Sequence, residues 1–293
     1  MNQIEYRNIK KIMSKNQQQS NELIWNNDLS CWEMKTRCAY LFITLMLTSL
    51  FFGYKIKTIF YGRESKREEA NFMVRIFFFD EKKTSYTFCG GSIIDELHVL
   101  TAAHCLWNYK NISKDIYIEI VTGDLKVNEK EISEQIRIGE KIFIHDNYDD
   151  EKLLSDIAII RLDEPLIFKP KISPIKFDDE LHKTLNPGLK CKFFGWGLQE
   201  NDEASEYLKV TELIIKDSEC DGFGSECEVC TTPVNERVQV AEGDSGGPLV
   251  CSIDNQGYVQ YGILSYKHID DPKYAAFTNL ACYNDWIKKT IKN

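Results

Sequence analysis

The sequence lacks a basic excess. Its 36 Lys and Arg face 45 Asp and Glu, a formal net charge of −9, and the acidic balance lies after Thr58, with 28 basic against 41 acidic side chains. That argues against nucleic acid and anionic membrane surfaces as partners. It also lacks a long hydrophobic run. The most apolar stretch, Cys38 to Gly53, has about 15 residues, fewer than the roughly 20 that span a membrane as a helix. Histidines are few, and no pair among His98, His145, His182 and His268 has metal-ligand spacing, so no metal is expected. The acidic triplet Asp149-Asp150-Glu151 lacks the ordered ligand spacing of a calcium loop and reads as solvated. There is no internal repeat and no disulfide module at the N-terminus. No cofactor is expected, and a monomer is the default.

The first 33 residues are rich in Asn, Gln and Lys and contain no glycine. They read as disordered, or as an extension upstream of a working start at Met34. Lys35 and Arg37 then precede the apolar stretch, the pattern of a secretory signal peptide over residues 34–53. The alternative is a signal anchor with residues 1–37 in the cytosol, so a membrane is a partner only if the 38–54 segment is retained. Residues 54–58 would form a short propeptide. Ten cysteines, eight of them after residue 58, suit an oxidising, extracellular compartment.

The most informative stretch is Gly243-Asp244-Ser245-Gly246-Gly247-Pro248. Glycine takes backbone angles that a Cβ forbids, so this run can turn tightly and aim its N–H groups at one point. Ser245 is then a candidate nucleophile, and the N–H groups of Gly243 and Ser245 are candidate oxyanion donors. Alone, the motif also reads as a polar turn. Upstream stand Thr101-Ala102-Ala103-His104-Cys105 and Asp156-Ile157-Ala158-Ile159-Ile160. A serine hydroxyl needs a base, which His104 can supply near neutral pH. An acid opening a buried apolar run needs hydrogen-bond partners, and orienting His104 gives Asp156 that role. The chain order His, Asp, Ser excludes an esterase of the α/β-hydrolase type.

These three motifs, in this order, resemble the trypsin/chymotrypsin-like (S1) serine proteases, and the resemblance runs from Ile59 to residue 293. It implies an all-β domain of two packed six-stranded antiparallel β-barrels with a C-terminal α-helix. Strand patterns agree at Met73–Phe79, Tyr117–Val121, Gln135–Ile144 and Lys209–Ile215. Pro165, Pro170 and Pro174 mark a connection between barrels. Tyr283, Trp286, Ile287, Thr290 and Ile291 form a helical core stripe. His98 reads as an ordinary half-buried strand residue.

The resemblance further implies disulfides Cys89–Cys105, Cys191–Cys251 and Cys220–Cys230. Cys227 and Cys282 have no family-standard partners; we pair them with each other as a guess, against two free thiols or an intermolecular bridge. Family members are made as inactive precursors, in which cleavage frees an amine that pairs with the acid before the serine. Here those residues are Ile59 and Asp244, but Tyr61 replaces a usual glycine and Thr58, not Arg or Lys, precedes the cut. Asn111-Ile112-Ser113 is a glycosylation acceptor, or a chance triplet.

In the family, the residue six before the nucleophile forms the base of the specificity pocket. Here it is Gln239, which lacks the charge that holds Lys or Arg in trypsin-like enzymes, a contact worth about 1.5–3 kcal/mol. Val240, Ser265, Tyr266, Lys267 and Ala275 line the rest; Tyr266 and Lys267 replace a usual Trp-Gly pair, and Ala241 replaces a bridging cysteine. The expectation is a secreted serine endopeptidase without trypsin specificity, acting on proteins or peptides and open to protease inhibitors. The alternative is a non-catalytic homologue that binds or regulates.

Overall fold

The computed structural model describes residues 62–292 except 80–85, 110–116, 128, 130, 178–185, 199–204, 217–219, 221–225, 236–238, 253–256, 269–270 and 272. The signal segment, Ile59 and Asn111 lie outside the described residues.

Six strands close the first barrel: β2 (Met73–Phe79), β3 (Tyr86–Ile93), β4 (His98–Thr101), β5 (Tyr117–Thr122), β6 (Gln135–Ile144) and β7 (Ala158–Leu162), following the two-residue β1 (Arg63–Glu64). Around the barrel their order is β2-β3-β4-β7-β6-β5, all antiparallel. Alternation explains the inside: Val74, Ile76 and Phe78 of β2 point inward at 0, 0 and 3% exposure. The run Ile157–Ile160 is buried throughout, as its unbroken apolar sequence requires.

The second barrel is built from β8 (Lys190–Gly195), β9 (Lys209–Ile215), β10 (Glu228–Pro233), β11 (Pro248–Ser252), β12 (Tyr258–Lys267) and β13 (Ala275–Asn279). Their order is β9-β10-β13-β12-β11-β8, the pairing of β8 with β9 closes the ring, and β1 adds to β9. Phe193, Leu249, Tyr261 and Phe277 fill this core at 0% exposure. Full burial of one such side chain is worth about 1.5–3 kcal/mol. Two packed six-stranded barrels are thus the architecture.

A third apolar cluster forms the seam between barrels. Phe72 and Met73 from the start of β2 meet Phe194 and Trp196 at the end of β8, with Leu208, Val210 and Val250 around them. Phe72 and Phe194 meet edge to face at 5.7 Å. Helix α1 (Asn284–Thr290) follows a 3-10 turn, Leu280–Tyr283, which Asn279 caps by accepting from the Ala281 N–H at 3.1 Å. Leu280, Tyr283 and Ile287 pack into the first barrel's core.

Four disulfides are formed: Cys89–Cys105, Cys191–Cys251, Cys220–Cys230 and Cys227–Cys282. The last ties the residue before β10 to the 3-10 turn, with Cα atoms 5.8 Å apart. One reading needs correction. His98 is 5% exposed, not half-buried, because Asp95 three residues earlier folds back and takes its Nδ1 at 2.9 Å.

Candidate active site

β4 carries the chain inward to Ala102 and Ala103, both fully buried, and small enough to let the next residue sit close to its neighbours. His104 follows, and Cys105 anchors the loop to β3 through Cys89. These two sulfur atoms lie close to His104 but are bonded to each other, so neither is a thiolate ligand.

Asp156 is the centre of a hydrogen-bond network and is fully buried. Its Oδ1 accepts from the His104 backbone N–H at 2.8 Å, and its Oδ2 is 2.7 Å from His104 Nδ1. A carboxylate only accepts, so Nδ1 carries the proton and Nε2 keeps its lone pair. Ser265 Oγ also donates to Oδ2, at 2.5 Å, and Thr278 Oγ1 donates to the Asp156 carbonyl at 2.8 Å. These donors meet the requirement that a buried charge be hydrogen-bonded.

The approach to Asp156 is bent. Leu153 and Ser155 both take φ 53, in the left-handed region that side chains disfavour. At Ser155 the surroundings hold this conformation: Ile157 N–H bonds the Ser155 carbonyl at 2.8 Å, and Tyr283 donates its hydroxyl to Ser155 Oγ at 3.2 Å. The kink turns Asp156 inward just before β7 begins.

Burial is the largest influence on His104 and pulls its pKa down. The charge and hydrogen bond of Asp156, with the charge of Asp150, outweigh it, so His104 titrates above its ordinary value. Asp150 is held by the Tyr148 hydroxyl at 3.0 Å.

The serine turn comes from the second barrel, between β10 and β11. Gly243 and Gly246 have φ 88 and 78, angles natural to glycine. A Cβ on Gly246 would overlap Thr101 Oγ1 and come within 2.6 Å of the Gly90 carbonyl. The Gly90 N–H bonds the Ser245 carbonyl at 2.8 Å. The turn is therefore held to β3 through Ser245 and packed through Gly246 against Thr101 at the end of β4, three residues before His104, and Ser245 is partly exposed.

Asp244 points away from this cleft. It is fully buried, and its two oxygens accept from the Gly197 and Ala241 N–H groups, each at 2.8 Å. Burial pushes its pKa up to about 7, against those two bonds and the charge of Lys267.

Around the expected pocket, Val240 and Ala275 pack into the second core at 6 and 4% exposure, and Gln239 is half-buried. Ser265 is also buried, with its hydroxyl committed to Asp156. Tyr266 reaches Glu228 on β10 at 3.3 Å, and Lys267 is exposed. Read from the sequence, Ser155, Thr278 and Glu228 have no role at the site and Asp150 is only part of a solvated acidic triplet, whereas its charge acts on His104. Thr278 left a signal, a hydroxyl at an inward position of an apolar strand.

Two six-stranded barrels with a histidine–aspartate pair on one and a glycine-framed serine on the other define the chymotrypsin-like class. Residues 59–287 match the family model described as Trypsin, and the chain belongs to this family of serine proteases. Over 237 residues it is 30% identical to duodenase-1 of Bos taurus, covering 79% of this chain and 88% of that protein. It is 32% identical to trypsin-1 of Astacus astacus over 215 residues, 70% of this chain and 88% of the relative. Granzyme B of Rattus norvegicus is 31% identical over 259 residues, 85% of this chain and 98% of the relative.

Proposed function

We propose that the protein is a secreted serine endopeptidase in which Ser245, His104 and Asp156 form the catalytic triad. The observation that carries this reading is the fully satisfied Asp156, bonded to both His104 nitrogen donors and to Ser265. Such a network fixes the one tautomer in which Nε2 can accept a proton.

In this mechanism Ser245 Oγ attacks the peptide carbonyl carbon while its proton passes to His104 Nε2. The carbonyl oxygen becomes an oxyanion held by the Gly243 and Ser245 N–H groups, each worth about 2.7–4 kcal/mol. His104 then protonates the leaving amine, the C–N bond breaks, and an acyl-enzyme remains. Water repeats the sequence with His104 as base and restores Ser245. Gln239 offers no charge to a Lys or Arg side chain, so specificity is not trypsin-like.

Activation follows from Asp244. A buried carboxylate whose partners are only N–H dipoles is poised to accept a cation, and the amine freed at Ile59 would supply one. The apolar segment before Ile59 acts as a signal peptide, and Asn111 carries a glycan.

The test is labelling of the secreted protein with a biotinylated fluorophosphonate, followed by N-terminal sequencing. Label on Ser245 in a chain starting at Ile59 is expected. An unlabelled chain starting at Ile59 would sink the protease reading and leave a non-catalytic homologue.

A further inference from the structure

The four disulfides differ in access. Cys89 and Cys105 are 8 and 7% exposed, Cys191 and Cys251 are 2 and 0%, and Cys230 is 7%. Cys220 and Cys227 are half-buried. Among these eight bridged cysteines Cys282 alone is fully exposed, on the 3-10 turn Leu280–Tyr283. Thiol–disulfide exchange begins when a thiolate reaches one sulfur of the bridge, so access decides which bridge opens first.

This bridge fastens the segment that lies behind the triad acid. Its half at Cys227 also accepts the Asn279 N–H on its carbonyl at 2.8 Å. The end of β13 and the turn are thus held to the residue before β10 by one covalent bond and one hydrogen bond. Each of these two anchor points adjoins a contact to the Asp156 loop. Thr278, beside Asn279, donates its hydroxyl to the Asp156 carbonyl at 2.8 Å. Tyr283, beside Cys282, donates its hydroxyl to Ser155 Oγ at 3.2 Å. Ser155 has φ 53, an angle that a serine keeps only while its surroundings impose it. None of the other three bridges has a cysteine in β13, this turn or α1. With the bridge open, the turn keeps the packing of Leu280, Tyr283 and Ile287, so the fold holds while the Asp156 loop loosens.

We propose that Cys227–Cys282 is a reversible thiol switch that a dithiol reductant opens at Cys282, and that the closed bridge positions Asp156 against His104. One thiolate of the dithiol attacks Cys282 Sγ. The bond between the two Sγ atoms breaks, and Cys227 leaves as a thiolate and takes up a proton. The second thiol of the dithiol then attacks the mixed disulfide and releases Cys282. Two electrons pass to the bridge, and the reductant becomes a disulfide. A disulfide oxidant runs the same steps backwards. The bridge acts through Thr278 and Tyr283 and touches no reacting atom. Its effect on turnover rests on the protease reading.

The test treats the activated full-length protein with rising dithiothreitol. At each step one portion is alkylated and its modified cysteines are mapped by mass spectrometry. Another portion is assayed in the same reductant on the coumarin amide of a sequence cleaved in a peptide library. Cys227 and Cys282 are expected to be alkylated at a dithiothreitol concentration about tenfold below that which opens the other bridges. In that window kcat is expected to fall about tenfold, as a displaced catalytic group predicts. The low-pH limb of the rate should move to lower pH, because His104 loses part of the hold of Asp156, and oxidised glutathione should restore both. The Cys227→Ala/Cys282→Ala variant should begin with the low kcat and show no further change in the window. If that variant does not fold, the partly reduced wild type is read in its place. Earlier opening of another bridge overturns the proposal. So does an unchanged kcat once Cys227 and Cys282 are open, or a fall in kcat with an unmoved limb, which a merely structural bridge would give. Untreated protein that resists fluorophosphonate labelling overturns the protease reading and this inference with it; labelled protein that does not respond in the window overturns this inference alone.

Discussion

The Asp244 carboxylate occupies the space that a side chain at Gly197 would need. A methyl group there would overlap both carboxylate oxygens, while the Gly197 N–H holds Oδ1 at 2.8 Å. Gly197, the residue after Trp196, is thus fixed by an acid 47 residues away in the chain.

Gly197→Ala should therefore displace Asp244 and the serine turn with it. The expected cost is about 1–3 kcal/mol of stability from overpacking, read by chemical denaturation. Fluorophosphonate labelling should slow by at least tenfold. A variant that labels at the wild-type rate would separate Asp244 placement from the site.

Asp156→Asn should leave the fold intact and remove the preference for the productive His104 tautomer. A loss in kcat of about 10⁴ is expected. Ser265→Ala removes one donor to Asp156 and should cost far less, about 1.5–3 kcal/mol of transition-state stabilisation. In the wild type the low-pH limb of kcat/KM should reflect a histidine titrating above its ordinary value, and in Asp156→Asn that limb should move to lower pH.

The uncleaved chain should respond to pH through Asp244. Its folded pKa is about 7, above the usual aspartate value, so the folded state holds the proton more tightly than the unfolded chain. The stabilising contribution is full below about pH 4 and is lost as pH rises through 7. The stability difference between wild type and Asp244→Asn, measured by urea denaturation from pH 4 to 8, should shift against wild type as pH rises. A difference that stays flat would place Asp244 in a more polar setting.

Arg75 and Asp124 form a buried ion pair, with side chains 4 and 0% exposed. Arg75 also lies 5.2 Å over the Trp196 ring at the seam. Burial lowers the arginine pKa and raises that of Asp124 to about 6, so desolvation outweighs their attraction. Arg75→Met alone should cost about 3–5 kcal/mol by stranding the acid, whereas Arg75→Met/Asp124→Leu should come out near neutral. Thermal denaturation of both variants distinguishes a stranded charge from simple loss of packing.

Gln239→Asp should create a preference for Lys or Arg before the scissile bond. A gain of about 10- to 100-fold in kcat/KM on an arginyl ester corresponds to one charge-assisted hydrogen bond. No gain would show that Gln239 does not face the substrate side chain.

Much of the fold was legible because the strands announce themselves. Met73–Phe79 is an apolar run rich in β-formers and Ile157–Ile160 is apolar throughout; the first forms β2, and the second is fully buried and leads into β7. The separated motifs at His104, Asp156 and Ser245 were legible as a candidate site. The Cys227–Cys282 bridge was only a guess, because pairing depends on where a loop and a terminal turn meet in space. The left-handed bend at Ser155 was not readable at all, since serine carries no preference for φ 53 and the contacts that hold it come from Tyr283, 128 residues on. Nor did the sequence disclose that Phe77, Phe79, Tyr86, Phe88 and Tyr117 form one aromatic layer. Phe77-Phe78-Phe79 reads as a uniformly apolar run, and only register with β3 and β5 gathers the outer rings.

Each barrel is made from an unbroken length of chain, 73–162 for one and 190–279 for the other. The proposed base belongs to the earlier length and the nucleophile to the later. A nascent chain with its first half folded is therefore inert towards its neighbours, and so is one clipped between the halves before they dock. On the proposed reading, docking of the two halves is needed before hydrolysis as much as the amine freed at Ile59, so a molecule able to cut has already passed inspection of its own shape.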